Sequence, residues 1–271
     1  MSNISVHLIS DLNLGYNELS QDDETIPDVD LVVINGNLGH PKRGMLYMEK
    51  LCAKYPDTQF VCNLGESELY IESNYPKTMD EVKLQTLKRK THNETWPKNL
   101  HYSLQPMIIN LRNNQKVDVF CLYGFPFIHS IKGQWEETNW HRYYYKELIE
   151  DYQPEGKPYK PAGTSNVNHG AQHIPADKDW VNKEHEKEWL VVKKWELENN
   201  GCYKILVTHF SPYNDSRLVN QEYGPYNIHI DKSCLWLTAS SEHNGVQFLG
   251  GKLYGNPGRG SKCRSKVITM N

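Results

Sequence analysis

Polar side chains that can bind metal ions or transfer protons follow several short apolar segments of this chain. Asp11 and Asn13 come after the first such segment, Asn37 after the second, Asn63 after the third and His209 after a later one. Carboxylate and amide oxygens are ligands for hard cations, and an imidazole binds a metal ion or carries a proton. These residue types indicate a polar site, provided that the fold brings the segment ends together.

The apolar segments themselves predict the elements that would do so. Each is rich in Val, Ile, Leu or Phe and is followed by turn residues, which is typical of a buried strand. The predicted strands cover residues 4–9, 30–34, 60–62, 117–123 and 202–207. Helical spacing of apolar residues predicts helices over 43–54 and 179–198. This alternation predicts a layered α/β fold, in which sites form beyond the carboxyl ends of the strands.

Residues 132–178 depart from this pattern. Aromatic and charged residues mix in the first part, and a stretch rich in Pro, Gly and Asn without periodicity follows. We interpret the segment as a helical piece followed by a long surface insertion. The length of 271 residues suits one large domain, so residues 1–271 are predicted to form a single domain with this insertion.

Composition excludes several classes of protein. Hydrophobic residues make up 38% of the chain, which is too many for a disordered protein. The net charge of −3, with both signs interspersed, argues against a nucleic-acid partner. No apolar stretch approaches the roughly 20 residues of a membrane span, so no membrane association is expected.

The expected compartment follows from the cysteines and the first apolar segment. None of the cysteines forms a Cys-x-x-Cys pair, and Cys62 and Cys121 lie in strand-like segments, where a free cysteine behaves as a small core residue. Asp11 and Asn13 interrupt the first apolar segment, so we read no signal peptide. A reduced, cytoplasmic protein is therefore expected.

Five segments that follow predicted strands carry a wider pattern. They are Asp11-Leu12-Asn13, Gly36-Asn37, Asn63-Leu64-Gly65-Glu66, Thr208-His209-Phe210-Ser211-Pro212 and Ala239-Ser240-Ser241-Glu242. The segment Asn256-Pro257-Gly258-Arg259-Gly260 follows them. In this order they resemble the calcineurin-like metallophosphoesterases, specifically the branch that ends in an Asn-Pro-x-Gly segment. Members of that family read Asp-x-His, Gly-Asp, Gly-Asn-His-Glu, a Thr-His-x-x-Pro-like motif and Gly-His-Thr-His. The resemblance spans nearly the whole chain apart from 132–178 and implies a layered metallophosphoesterase-like β-sandwich flanked by helices.

The resemblance also implies where metal ions would bind, and the first position is altered. The family holds two metal ions bridged by the Gly-Asp carboxylate, and this pair activates water for attack on a phosphate. Here the first metal would meet Asp11, Asn13, Asn37 and Glu242. This all-oxygen set lacks a nitrogen ligand and suits at best a single Mg²⁺ or Ca²⁺.

The second position is altered further. Its ligands by resemblance would be Asn37, Leu64, His209 and Ser240, of which leucine cannot bind a metal ion. Gly65 stands where the family has the histidine associated with the leaving group, so no acid is left there. We therefore expect no second metal ion, and we expect no cofactor apart from that one candidate hard cation.

Other residues offer alternatives. His169 and His173 have the i, i+4 spacing that can present two imidazoles to a metal ion on a helix, although the nearby Gly, Pro and Asn favour a loop. His185 and His243 are candidate replacement ligands or acids. Glu66 is retained from the family motif, and we interpret it as a surface or supporting carboxylate.

The remnant site has three interpretations, of which we favour the first. Asp11, Asn13, Asn37, His209 and Glu242 form a buried hydrogen-bond network that replaces the metal ions, since amides, carboxylates and an imidazole can satisfy one another. Alternatively the site holds one hard cation, or it retains full or partial activity.

The favoured function follows from the favoured network. It is a catalytically inactive protein that binds another protein, through the aromatic segment 132–178, or a phosphate-bearing ligand, through His209 and Asn37. The alternative for the aromatic residues of 132–178 is that they pack over the core of the fold itself. The alternative is a weak single-metal phosphoesterase that acts on phosphomonoesters or phosphodiesters, with His209 as base or anion ligand. A nucleic-acid-binding remnant is a third hypothesis, against which the charge argues.

Overall fold

A computed structural model of the chain describes residues 4–10, 12, 25–36, 38, 41–63, 65, 97–102, 105–124, 178–198, 200–209, 234–239, 244–249, 252–257 and 264–270. Within these ranges the elements follow one another as β1 (Ile4–Ser10), β2 (Leu31–Asn35), α1 (Pro41–Lys54), β3 (Gln59–Asn63), β4 (Leu100–Tyr102), β5 (Met107–Asn110), β6 (Lys116–Leu122), α2 (Lys178–Leu197), β7 (Tyr203–Thr208), β8 (Cys234–Thr238), β9 (Asn244–Leu249), β10 (Lys252–Pro257) and β11 (Arg264–Met270).

The strands form two sheets. The first has the order β11-β1-β2-β3-β4 and the second the order β5-β6-β7-β8-β10-β9. In both, a parallel centre is bordered by antiparallel pairing: β11 with β1 in the first sheet, and β5 with β6 and β9 with β10 in the second. Parallel neighbours end at the same edge of a sheet, so the loops after β1, β2 and β3 share one edge, and those after β6, β7 and β8 share another.

The main core lies between the two sheets. Strands β2 and β3 contribute Leu31, Val33 and Val61, and strands β6 and β7 contribute Val119 and Val207, all of them buried in one cluster. Burial of such apolar surface contributes roughly 25 cal/mol per Å² and drives the two layers together. The sandwich therefore forms because both sheets present an apolar face to each other.

Helix α2 covers the outer face of the second sheet. Residues that alternate with the inter-sheet set, including Phe120 and Trp236, pack there against Val192 and Trp195 of the helix. The rings of Phe120 and Trp195 lie 5.5 Å apart, centroid to centroid, at an angle of 59°. The central strands of the second sheet, β6, β7 and β8, are thus buried on both faces, which explains their continuous apolar sequences.

The layered β-sandwich flanked by helices that the resemblance implied is confirmed. Outside 132–178, the strands predicted over 4–9, 30–34, 60–62, 117–123 and 202–207 and the helices predicted over 43–54 and 179–198 are found within two residues of their expected bounds. The predicted insertion over 132–178 lies outside the described residues, except for its last residue, with which α2 begins. Neither described helix is both long and apolar enough to cross a membrane.

A polar clamp joins the two sheets at the amino ends of their parallel strands. Asp30, directly before β2, accepts hydrogen bonds from the backbone N–H and the hydroxyl of Ser5, at 2.9 and 2.8 Å. Its second oxygen lies 3.3 Å from Nε of Arg112, which lies in the turn between β5 and β6 and also pairs with Asp28. Burial raises the pKa of Asp30, but the hydrogen bonds from Ser5 and Arg112 and the charge of Arg112 outweigh it, so the pKa lies below its ordinary value of 3.8.

The clamp predicts a pH-dependent contribution to stability. Asp30→Asn should lower the free energy of unfolding at pH 7 by about 1–3 kcal/mol, because charge-assisted hydrogen bonds are lost. The lowered pKa means that the contribution is present above the unfolded-state pKa of about 3.9 and is lost as the pH falls through the folded-state pKa. Urea unfolding at pH 7 and at pH 3.5 should therefore show a smaller difference between the two proteins at the lower pH.

Asp28→Asn is the matched control for this clamp. Its side chain is 87% exposed although it pairs with the same arginine, so its loss should change stability much less. Equal losses from Asp28→Asn and Asp30→Asn, or a difference that does not change with pH, would contradict the assignment of the clamp to Asp30.

Candidate functional site

Two asparagines close the inter-sheet core at the carboxyl ends of β2 and β3. Asn35 and Asn63 each come two residues after a core valine, Val33 and Val61, so their side chains face the second sheet. The two residues are directly paired across the parallel strands and are buried, with 0% and 3% of their surface exposed. A buried amide must be hydrogen-bonded, so their partners decide what this edge can do.

The amide nitrogens of these asparagines bind across the gap between the sheets. Asn63 Nδ2 donates to Asn35 Oδ1 at 2.9 Å and to the carbonyl oxygen of Leu122, at the end of β6, at 2.8 Å. Asn35 Nδ2 donates to the carbonyl oxygen of Thr208, at the end of β7, at 2.8 Å. We call Asn35, Asn63 and these two carbonyls the amide seam. It ties the carboxyl edges of the two sheets together.

His209 lies directly beside the amide seam. It follows β7, is 1% exposed, and its ring stacks on that of Tyr123 with centroids 5.8 Å apart. Its backbone N–H donates to the carbonyl of Tyr123 at 3.0 Å, and its own carbonyl accepts from the N–H of Ala239 at 3.0 Å. The residue therefore connects the strand ends of β6, β7 and β8.

The imidazole of His209 has a defined orientation. Its Nδ1 lies 3.3 Å from the carbonyl oxygen of Asn35. A carbonyl oxygen only accepts hydrogen bonds, so Nδ1 carries the proton, and in the neutral ring Nε2 then has the lone pair. This is the tautomer in which a histidine coordinates a metal ion or accepts a proton through Nε2.

The loop after β2 passes very close to this histidine. Gly36 has a φ of +76°, and a Cβ atom placed on it would lie 2.5 Å from Nδ1 of His209 and 2.6 Å from Cα of Gly65. Only glycine fits here without displacing its neighbours, because it tolerates positive φ and has no side chain. The backbone of the loop after β2 thus packs directly against the backbone of the loop after β3 and against the imidazole of His209.

A buried carboxylate from α2 holds the end of β6. The Glu188 oxygens accept hydrogen bonds from the backbone N–H groups of Tyr123, at 3.1 Å, and Gly124, at 3.1 and 3.4 Å. Gly124 has a φ of +84°, so the chain turns sharply at this point. Because the carbonyl of Tyr123 in turn accepts from His209, Glu188 supports the position of the histidine from the far side of the sheet.

Loss of the Glu188 carboxylate should destabilise the folded protein. We expect Glu188→Ala to lower the free energy of unfolding by about 2–4 kcal/mol, because two buried N–H groups lose their acceptor. Urea unfolding measures the loss, and faster hydrogen exchange at the amides of Tyr123 and Gly124 would locate it. Glu186→Ala, at an exposed position of the same helix, is the control and should change little. If both variants unfold alike, Glu188 does not anchor this strand end.

The structure describes some of the candidate residues and not others. His209 is brought to the carboxyl edge, as predicted, and His185 is buried on α2, which packs on the outer face of the second sheet. The other candidates lie outside the described residues: Asp11, Asn13, Asn37, Leu64, Glu66, His169, His173, Ser240, Glu242 and His243. The predicted network of Asp11, Asn13, Asn37, His209 and Glu242 therefore stays a prediction.

Fit to a metal ion can be judged at the described residues alone. Among them, no three His, Cys, Asp or Glu side chains are grouped in a way that could hold a metal ion. His209 is the described member of the ligand set implied by the resemblance, and its tautomer suits coordination through Nε2. The chain thus offers one fitting nitrogen ligand in this part of the fold.

No protein-family model and no curated protein sequence matches this chain. A solved structure, phosphopantetheinyl hydrolase from Mycobacterium tuberculosis, is similar over 95% of this chain and 90% of its own, with a TM-score of 0.55 and 11% sequence identity. The chain has a metallophosphoesterase-like fold. A putative 5′-nucleotidase from Staphylococcus aureus, solved with alpha-ketoglutarate, aligns with 100% of this chain and 51% of its own, at a TM-score of 0.41 and 13% identity.

Sequence reasoning did not identify several residues that build this edge. Asn35, Asn63 and Glu188 were not predicted to hold it together. The signal was present, because a polar residue two positions after a core valine must face the core, and Glu188 interrupts the apolar face of α2. Each such residue needs a buried partner, and the partners here are backbone groups that no side-chain motif reveals.

Proposed function

We propose that this protein uses a metallophosphoesterase-like fold without hydrolysing phosphate esters, and that it acts by binding a partner protein or a phosphate-bearing ligand. The amide seam is the observation that supports this most directly. At the edge where such a fold would do chemistry, both buried amides donate to protein acceptors at 2.8–2.9 Å, and the imidazole donates to a backbone carbonyl. These groups hold the two sheets together.

The residue types at the remaining motif positions support the same proposal. Hydrolysis by two metal ions requires a bridging carboxylate and a water activated between the ions. Asn37 offers an amide in place of the bridging carboxylate, and Leu64 offers no ligand. General acid catalysis, typically worth about 10²–10⁴-fold, would also lack its histidine where Gly65 stands.

A phosphate-bearing ligand would meet this edge beside His209. We propose His209 and Asn37 as its contacts, because an amide N–H and an imidazole are suitable partners for phosphate oxygens. A protein partner would instead use the aromatic segment over 132–178, since Trp and Tyr dominate binding hot spots. The two modes are separable, because substitution of His209 should affect the first alone.

A second candidate function is a weak phosphoesterase with one Mg²⁺ or Ca²⁺, and the orientation of His209 favours it. Its Nδ1 faces the carbonyl oxygen of Asn35, so Nε2 carries the lone pair in the neutral ring. Asp11, Asn37 and Glu242 would be the ligands of the cation, and His209 would act as base or anion ligand.

Calorimetric titration of Mn²⁺, Mg²⁺ and Ca²⁺ into metal-free protein distinguishes these functions. The proposal predicts no saturable binding of any of the three ions. One site for Mg²⁺ or Ca²⁺ that is abolished by Asp11→Ala and Glu242→Gln would establish the single-metal alternative. Asp57→Ala, at an exposed acidic residue after α1, is the matched control and should change nothing. Binding of two Mn²⁺ ions would contradict both the proposed function and the single-metal alternative.

A further inference from the structure

Four lysines of helix α2 lie on its solvent side, whereas two of its glutamates are buried. Glu184 and Glu188 are each 6% exposed and point away from solvent. The lysines of the middle and last part of the helix are all exposed: Lys183, Lys187, Lys193 and Lys194. Glu186 is an exposed acid among them, and Lys187 forms an ion pair with the buried Glu184. With Glu196 partly exposed as well, basic residues outnumber acidic ones on the solvent side of α2, although the chain as a whole has a net charge of −3.

The same face also exposes large apolar side chains. Leu190 is 67% exposed and Leu197 84%, whereas Val191, 45% exposed, lies about 100° further round the helix axis. Elsewhere in the described part of the chain, the exposed large apolar residues stand singly on α1, β5 and β11. Single apolar residues on a surface are normal, whereas several on one exposed helix face beside charged residues are typical of an interaction site.

The spacing of these residues is that of a helix-packing seam. Leu190 and Leu197 are seven residues apart and so lie almost on one line along the helix. Three lysines extend this line. In chain order, Lys183, Lys187, Leu190, Lys194 and Leu197 are separated alternately by four and three residues. A second helix that packs along this line would place its own a and d positions against it.

We infer that this seam binds an amphipathic helix of another protein, one with apolar residues opposite Leu190 and Leu197 and with Asp or Glu opposite Lys187 and Lys194. Charge complementarity selects this occupant. A second copy of α2 would bring lysines against lysines or leucines, which repels charge or buries it without a partner. An acidic helix neutralises the lysines and covers the leucines together.

Two labelled peptides test the inference with the full chain. Both are designed amphipathic helices of about 21 residues, or three heptads, with leucine at the d positions. One has glutamate at the a positions and the other lysine. We expect saturable fluorescence anisotropy with the acidic peptide alone, weakening as salt rises. The double variant Leu190→Ala/Leu197→Ala should bind about tenfold more weakly or worse, because it loses both apolar anchors.

Control variants distinguish binding at this face of α2 from nonspecific association of the peptides. Leu46→Ala, at an exposed leucine of α1, should leave binding unchanged, and circular dichroism should show that every variant is folded. Lys194→Glu, which leaves the Lys187–Glu184 ion pair intact, should shift the preference from the acidic peptide toward the lysine peptide. The inference is overturned if the acidic peptide does not bind, if both peptides bind alike, or if the leucine variant binds as well as the wild type. It is also overturned if vesicles containing phosphatidylserine bind this face when the acidic peptide does not.

Discussion

Gly36→Ala is expected to lower the free energy of unfolding by about 2–5 kcal/mol. Part of this loss arises because an alanine at a φ of +76° is strained, by about 1–2 kcal/mol. The rest arises because its Cβ would lie 2.5 Å from Nδ1 of His209 and 2.6 Å from Cα of Gly65, and overpacking typically costs about 1–3 kcal/mol. Urea unfolding of both proteins measures the difference.

Gly201→Ala measures the backbone-strain contribution alone, so its difference from Gly36→Ala gives the overpacking contribution. Gly201 has a similar φ of +70°, but a Cβ atom there would have nothing within 4 Å, so only the backbone strain applies. We therefore expect Gly201→Ala to lose about 1–2 kcal/mol. A loss from Gly36→Ala no larger than that from Gly201→Ala would mean that the loops after β2 and β3 do not pack tightly on His209.

Asn63→Asp should destabilise the protein by about 3–5 kcal/mol at pH 7, although it changes neither size nor shape. The amide nitrogen that donates to Asn35 Oδ1 and to the carbonyl of Leu122 becomes an oxygen that faces two acceptors. A buried charge without a compensating partner commonly costs this much. Urea unfolding at pH 7 gives the value, and Asn35→Asp should produce a similar loss at the other end of the amide seam.

The loss from Asn63→Asp should also depend on pH. Burial without a donor raises the pKa of the new carboxyl in the folded state, so the penalty is small near pH 4 and grows as the pH rises above the unfolded-state value of about 3.9. Asn113→Asp, in the turn between β5 and β6, is the control and should show little change. A loss below about 1 kcal/mol at both pH values would show that the amide seam does not join the sheets.

The strands at the centres of the two sheets were the most predictable part of the fold. They are buried on both faces, so their sequences are continuous apolar runs that end in turn residues. The predicted segment 60–62 became β3, which extends one residue further at each end, from Gln59 to Asn63. Helix α2 was equally visible, because Val192 and Trp195 recur at helical spacing in a charged background.

The border strands were not predicted, and their burial explains why. In β5, Ile109 is buried while Ile108 is 56% exposed, so a strand of four residues shows no continuous apolar run. The turn that joins β5 to β6 did carry a signal, since Asn114 adopts a φ of 63° that asparagine tolerates better than most residues. Strand β11 mixes charged and apolar residues in the same way.

The candidate site was predictable in position but only partly in composition. The resemblance placed His209 at a strand end, where the structure has it. It could not reveal that Asn35 and Asn63 bind backbone carbonyls of the opposite sheet, because those partners are distant in sequence and carry no side-chain signature. Burial of an amide is readable from strand alternation, whereas the identity of its partner depends on how the two sheets pack.

The amide seam gives the proposed loss of hydrolysis a physical basis. The amide nitrogens and the imidazole of this edge donate to protein acceptors, so protein groups rather than metal ions hold it together. The same groups remain able to recognise a ligand that approaches from the loops. Function would then reside in binding, and the fold would serve as a scaffold that presents this edge and the face of α2.

Turnover tests this central claim most directly. Hydrolysis of bis-(p-nitrophenyl) phosphate and of p-nitrophenyl phosphate should be followed with Mn²⁺, Mg²⁺ and Ca²⁺ for the wild type, His209→Ala and Asp11→Ala. The account predicts that the wild type hydrolyses neither substrate faster than the two variants do with any of the ions. Metal-dependent turnover by the wild type that both substitutions abolish would contradict it and establish a working phosphoesterase.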